Sequence, residues 1–308
     1  MRSLVPQITK KSKHDLRKFK IFAEPMLYLL PFALGILIFT LYPVGYVFIT
    51  SFKEGFKYLT GNFDAYGINN FKYVLNDPYF ISSLKNTAIY VFTVVPISTA
   101  LAIILANLLN QKIKFIGIFQ TVYFLPMVTS ITAVGLAWKF MFNTNYGIIN
   151  YLLSLVGIAP VNWLLLPKNN IYVLIIFGIW NILPFTIILL LSGLQNINEL
   201  YYTAAKVDGA KPITIFYRIT IPLLSPTIGL VLIINMISTF KVFTEIFPLF
   251  NGSPGIAYNL YTVVYYIYDQ FYVKWKFGRA CAAALILFMI IFILTRLQLY
   301  IQKKWQHY

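Results

Sequence analysis

The sequence predicts an all-α, polytopic membrane protein with six transmembrane helices. Three observations carry that prediction. Of the 308 residues 59% are hydrophobic and only 11% are charged, whereas soluble domains average about 25% charged residues. The charges are bunched, so long stretches have none at all. Six of those stretches provide most or all of the roughly 20 apolar residues that a helix needs to cross hydrocarbon.

Residues 1–22 form a basic tail, with Arg2, Lys10, Lys11, Lys13, Arg17, Lys18 and Lys20. It reads as a topogenic charge cluster held near anionic lipid. The first charge-free run, 25–52, exceeds the apolar core of a signal peptide, about 7–15 residues, and is expected to be an uncleaved span. Runs at 86–111, 115–138, 169–198, 219–240 and 280–295 complete a membrane domain over 23–302, closed by a short end at 303–308. The last run has 16 uncharged residues, about 24 Å at helical rise. It needs its flanks to cross, with Arg279 and Arg296 snorkelling at its ends.

Two further uncharged runs, 140–167 and 246–268, are interrupted by residues such as Asn143, Gly147 and Pro160, and Pro248, Gly252 and Pro254. In lipid such breaks would strand backbone hydrogen-bonding groups, so these runs belong at the interface or in protein-covered loops. Tyr258, Tyr261, Tyr265, Tyr266, Tyr268, Phe271, Tyr272 and Trp275 are expected to form an interfacial aromatic belt.

The formal charge is +16. Membrane orientation accounts for it without invoking nucleic acid. With six spans the two termini share a side that holds 15 Lys and Arg, against nine in the longer loops opposite. The positive-inside rule therefore places both termini in the cytoplasm.

Little in the chain suggests chemistry of its own. Cys281 is the only cysteine and lies in an apolar run, and His14 and His307 sit in polar tails. Disulfides and thiolate metal clusters are therefore not expected. No phosphate-binding loop, zinc motif or nucleophile elbow occurs. The only ionisable residues near a span centre or end that stand out are Lys241 and Glu245, spaced to pair on one helix face.

The loop 199–222 carries the sharpest signal. Thr203, Ala204, Ala205, Asp208, Gly209, Ile219, Ile221 and Pro222 fall in an order that reads as helix, break, helix, span. Gly209 supplies a left-handed stop, Pro212 opens the next helix, and Pro222 marks the bend into the membrane. This loop resembles the EAA motif, E-A-A-x3-G-x9-I-x-L-P, of the permease subunits of bacterial ABC importers. Ala204, Ala205, Gly209, Ile219 and Pro222 match it, while Thr203 replaces the glutamate and Ile221 the leucine. The Leu29-Leu30-Pro31, Asn76-Asp77-Pro78, Phe124-Leu125-Pro126, Asn145-Tyr146-Gly147 and Asn251-Gly252-Ser253-Pro254-Gly255 segments are similar, in the same order, to the carbohydrate-type permeases of that family. Ser253 departs from the usual glycine there, and is tolerable only if its backbone does not need a positive φ.

The resemblance implies a multi-pass protein of the bacterial cell membrane, working with a second homologous permease, two copies of an ABC ATPase and an extracytoplasmic solute-binding protein. ATP and magnesium would bind on the ATPase, and this chain would hold no cofactor. The loop helix would dock in the ATPase. In such permeases solute contacts come from the fourth and fifth spans, which points at Gly178, Asn181, Ile182, Phe185, Asn235 and Thr239. Trp180 and Ser238 join them as an apolar ring and a hydroxyl suited to a sugar. Interhelical packing through small polar residues is the alternative for any one of these positions. A neutral oligosaccharide is the expected solute. A sugar phosphate such as glycerol 3-phosphate is the alternative, with an ion-coupled carrier or a non-transport membrane protein more remote.

Overall fold

The computed structural model describes residues 25–111, 116–255 and 258–305. The basic tail, Lys112, Lys114 and both histidines lie outside the described residues. Helix α1 (Pro25–Ser51) is almost wholly apolar and includes a π turn at Leu37–Leu41. Strands β1 (Lys53–Glu54) and β2 (Ala65–Tyr66) pair antiparallel, Lys53 opposite Tyr66. This pair, for which the sequence gives no signal, is the only sheet among the described residues. Helix α2 (Asn69–Asn76) leads to Asp77, whose carboxylate accepts the Tyr79 N–H at 3.0 Å and so caps α3 (Pro78–Leu109). Pro78 occupies the first helical position, where no donor is missed.

The expected single helix over 115–138 is corrected. The chain there forms α4 (Ile116–Val128) and α5 (Ile131–Met141), two halves bent by 103°. The break has local causes. Pro126 has no N–H to give, the Thr129 hydroxyl donates back to the Leu125 carbonyl at 2.7 Å, and Ser130 leaves helical geometry with ψ 126°. After α6 (Ile148–Leu155) come α7 (Pro167–Gln195), α8 (Glu199–Val207) and α9 (Pro212–Thr239). Helices α10 (Ile246–Phe250) and α11 (Val263–Tyr268) precede α12 (Phe277–Trp305). Five long helices and one broken pair thus account for the six apolar runs.

The bundle is organised around α3, which packs along α7, with α9 laid against both. Helix α12 joins α1 to α9 and α11. At the hairpin end, the end carrying β1 and β2, the core includes Phe80, Tyr90, Phe177, Tyr261 and Tyr266. At the opposite, loop end it is built from Ala102, Ala106, Ile187, Leu190 and Leu224.

Charged residues enter the helices more freely than expected. Both Arg279 and Arg296 lie inside α12. The Arg279 guanidinium sits 3.4 Å from the Tyr73 ring centre and that of Arg296 lies 5.5 Å from Phe292, each satisfied by an aromatic face. Lys241 and Glu245 do not pair. Helix α9 ends at Thr239, so they share no helix face, and the Glu245 carboxylate instead accepts from Phe243 N–H (3.2 Å) and the Thr244 hydroxyl (3.1 Å).

The run 246–268 folds inward. Ile246, Pro248, Leu249 and Phe250 are buried, and so are Tyr261, Tyr265 and Tyr266. The expected belt is therefore corrected for these three tyrosines, which are core; Tyr258, Tyr272 and Trp275 remain exposed. Two of the buried phenols reach carboxylates, Tyr266 donating to Asp77 at 2.8 Å and Tyr261 to Asp269 at 2.7 Å. Burial first, then these hydrogen bonds, push both phenols well above their usual range. Lys274 pairs with Asp269 at 2.8 Å, the only ion pair among the described residues. In the neighbouring turn the positive φ angles fall on Asn251 (56°), Gly252 (73°) and Gly255 (77°). Ser253 is not among them, which explains why a serine is accepted.

Candidate coupling surface and solute path

The loop at the end of α7 is tightly specified. The Asn198 side chain accepts the Leu200 N–H at 2.9 Å and opens α8, with Glu199 in the first turn and Lys206 in the last, each suited to the helix dipole. The helix closes with the Ala210 N–H on the Ala205 carbonyl (2.9 Å) and the Gly209 N–H on Lys206 (3.1 Å). This is the paired closure of a Schellman motif, and it needs Gly209 at φ +73°. A Cβ there would meet open space. Glycine is required for its backbone conformation alone.

Helix α8 has two unlike faces. Ala205 is 8% exposed and turned into its own bundle. Ala204 is exposed and stands between Leu200 (74% exposed) and Val207 (83%), an i, i+4, i+7 stripe turned away from the protein. Tyr201 beside it is also exposed. The Thr203 hydroxyl donates to the Glu199 carbonyl at 3.1 Å, so the residue replacing the motif glutamate is used within its own helix. Asp208 is the exposed C-terminal cap. Sequence reasoning passed over Leu200 and Val207, although their helical spacing to Ala204 was readable.

Beyond Gly209, Lys211 and Pro212 start α9, which runs to Thr239 through a π turn at Phe216–Thr220. Here the Ile221 N–H reaches back five residues to Phe216. Placed just before Pro222, which has no donor, this turn lets the helix continue. Around Pro222 the chain forms one continuous element carrying half-buried Ile219 and Ile221.

The eight path residues separate into two groups. Gly178 lies against the Tyr90 hydroxyl so closely that a Cβ would come within 2.2 Å of it. Asn235, 3% exposed, donates to the buried Thr186 hydroxyl at 2.9 Å, and Thr239 donates to the Asn235 carbonyl at 2.6 Å. These three close the seam between α3, α7 and α9. Trp180, Asn181 and Ile182 are half-buried, and Phe185 and Ser238 are exposed. Trp180 stacks on Phe177 with ring centres 6.1 Å apart. Pro184, four residues further on, offers no N–H to the Trp180 carbonyl. Thr186, the partner of Asn235, was missed; a hydroxyl at mid-span opposite an amide was the available signal.

Long apolar helices enclosing a polar seam, with a capped helix presenting an apolar face at one end, define a multi-pass membrane permease. The chain belongs to the family of binding-protein-dependent transport system inner membrane components, whose family model matches residues 98–307. It is 33% identical over 281 residues to the arabinooligosaccharides transport system permease protein AraP of Bacillus subtilis, covering 90% of this chain and 88% of that one. It is also 33% identical over 282 residues to the lactose transport system permease protein LacF of Rhizobium radiobacter, with 90% and 93% covered. Among solved structures it is similar to a chain of the bacterial alginate ABC transporter in complex with alginate pentasaccharide-bound periplasmic protein, at TM-score 0.81 and 25% identity, covering 94% of this chain and 98% of that one.

Proposed function

We propose that this chain is a transmembrane permease subunit of an ATP-binding-cassette importer that moves a neutral carbohydrate, an oligosaccharide, handed over by an extracytoplasmic binding protein. The single observation that carries the coupling assignment is α8, fixed at both ends and offering the exposed Leu200, Ala204 and Val207 stripe to another protein. A groove on each of two ATPase copies, which bind ATP and magnesium, suits such a stripe. Rigid-body motion of α8 with α9 then exposes the path first to one side and then to the other.

Carbohydrate as the solute is supported by relatives named for arabinooligosaccharides and lactose. The accessible path residues agree in kind, since Asn181 and Ser238 offer an amide and a hydroxyl while Trp180 and Phe185 offer rings for a sugar's C–H faces. A second permease is supported by α1, whose apolar length has no buried residue in its most apolar stretch and leaves a broad surface to be covered. The asymmetry of basic residues supports cytoplasmic termini.

The test is uptake of labelled oligosaccharides by proteoliposomes holding the permease with its co-purifying subunits, with binding protein and ATP on their proper sides. Uptake that requires both, and that is lost in Leu200→Glu, is expected. Uptake without ATP would overturn the reading.

A further inference from the structure

We infer that α6 is an interfacial anchor, lying in the lipid leaflet on the hairpin side with its apolar stripe in the acyl region. Along α6 and the turn after it, Ile148, Tyr151, Leu152, Leu155 and Val156 are all exposed, returning at three- and four-residue steps along one face. The opposite face is locked. Asn150 is buried, its amide nitrogen donating to the Thr144 (3.0 Å) and Val161 (2.9 Å) carbonyls, while its oxygen accepts from Val161 N–H (3.2 Å) and Trp163 Nε1 (2.9 Å). Both N–H donors and both acceptor lone pairs of that amide are occupied. The clamp fixes the roll of the helix, so the apolar stripe is held outward by design and is not a face that failed to find the core.

Charge decides what covers it. Residues 140–167 contain no Asp, Glu, Lys, Arg or His, and Lys139 and Lys168 stand at the two ends. Elsewhere at the hairpin end, Lys57, Asp64, Lys276 and Arg279 surround an open cleft of about 580 Å³. A soluble protein partner finds its charged rim there, whereas a charge-free surface suits lipid. The stripe is also flanked in the chain by exposed apolar or aromatic residues of its neighbours, Phe140 on α5 and Tyr172 on α7. Tyr146 and Tyr151 are exposed aromatics with a polar tip, the type that concentrates where hydrocarbon meets water.

The test uses spin labels on the full chain, with its co-purifying subunits, in lipid nanodiscs. Leu152→Cys and Leu155→Cys are built on a Cys281→Ala background, with Leu59→Cys in the hairpin as the aqueous reference. At positions 152 and 155, oxygen is expected to relax the label severalfold more, relative to a water-soluble nickel chelate, than at position 59. Nickel access equal to that at position 59 would place the helix in water and overturn the proposal. Exclusion of both reagents would show that a protein partner covers the stripe, and would overturn it equally.

Discussion

The Asn235 amide on α9 donates to the Thr186 hydroxyl on α7 at 2.9 Å, with both side chains buried. The Thr186 hydroxyl donates in turn to the Ile182 carbonyl at 3.0 Å, so the two spans are tied by a short satisfied chain of bonds. Asn235→Leu is therefore expected to lower the stability of the assembled permease by about 1 kcal/mol, the net value of one such bond. Solute preference should stay nearly unchanged. Thermal unfolding in detergent, alongside competition between labelled sugars, checks both parts.

Asn181→Leu and Phe185→Ala should behave in the opposite way. Neither side chain makes a hydrogen bond among the described residues, and both are reachable from outside the packed seam. Uptake is expected to fall severalfold in each while the melting temperature hardly moves. A variant that lost stability without losing uptake would assign its residue to packing.

At the coupling loop, Gly209→Ala isolates one cause. The new Cβ meets nothing within 4 Å, so its whole effect is the cost of holding φ +73°, about 1–2 kcal/mol for an L-residue. Hydrolysis of ATP stimulated by the loaded binding protein should drop, and Gly209→Asn, which tolerates this conformation better, should restore part of it.

Ala204 and Ala205 are adjacent, yet only the first is exposed. Ala204→Arg is expected to leave the permease folded and to abolish its co-purification with the proposed ATPase partner. Ala205→Arg should instead destabilise the permease itself, because the bulk must enter its own bundle. Limited proteolysis of the isolated chain separates the two outcomes.

The buried phenols give a pH signature. A phenol whose folded pKa is raised contributes stability that is present below its unfolded pKa, about 10, and is lost as pH climbs through the folded value. Tyr266 and Tyr261 are both raised, so thermal stability from this source should be level between about pH 7 and 9 and decline above about 10. Tyr266→Phe removes a hydrogen bond to the Asp77 carboxylate. It should cost about 1.5–3 kcal/mol at neutral pH and flatten the alkaline decline.

Much of the architecture was legible from charge spacing, but the ends of the helices were not. Lys85 falls inside α3 and Arg279 and Arg296 inside α12, so counting charge-free residues finds the apolar centre of a span and truncates its ends. The bend at Thr129 and Ser130 was hidden for the opposite reason, since both halves are apolar and no charge marks the joint. In the coupling loop the spacing gave Gly209 its role, because backbone handedness follows from residue type. It could not say which of two neighbouring alanines faces inward, which depends on how α8 sits against the rest. The tyrosines at 261, 265 and 266 look like surface aromatics in sequence. They are buried because Asp77, Asp269 and the Gly252 carbonyl wait for their hydroxyls.

Helix α9 runs as one element from the candidate coupling loop to Thr239, with the π turn lying just before Pro222. Its 28 residues form an arm about 42 Å long at 1.5 Å per residue. If such an arm tilts by only about 5°, one end sweeps about 3–4 Å relative to the other over that length. A small displacement at Lys211 would therefore be carried to the level of Ser238, on the proposed solute path. The mechanical gain resides in a helix that the proline would otherwise have cut in two.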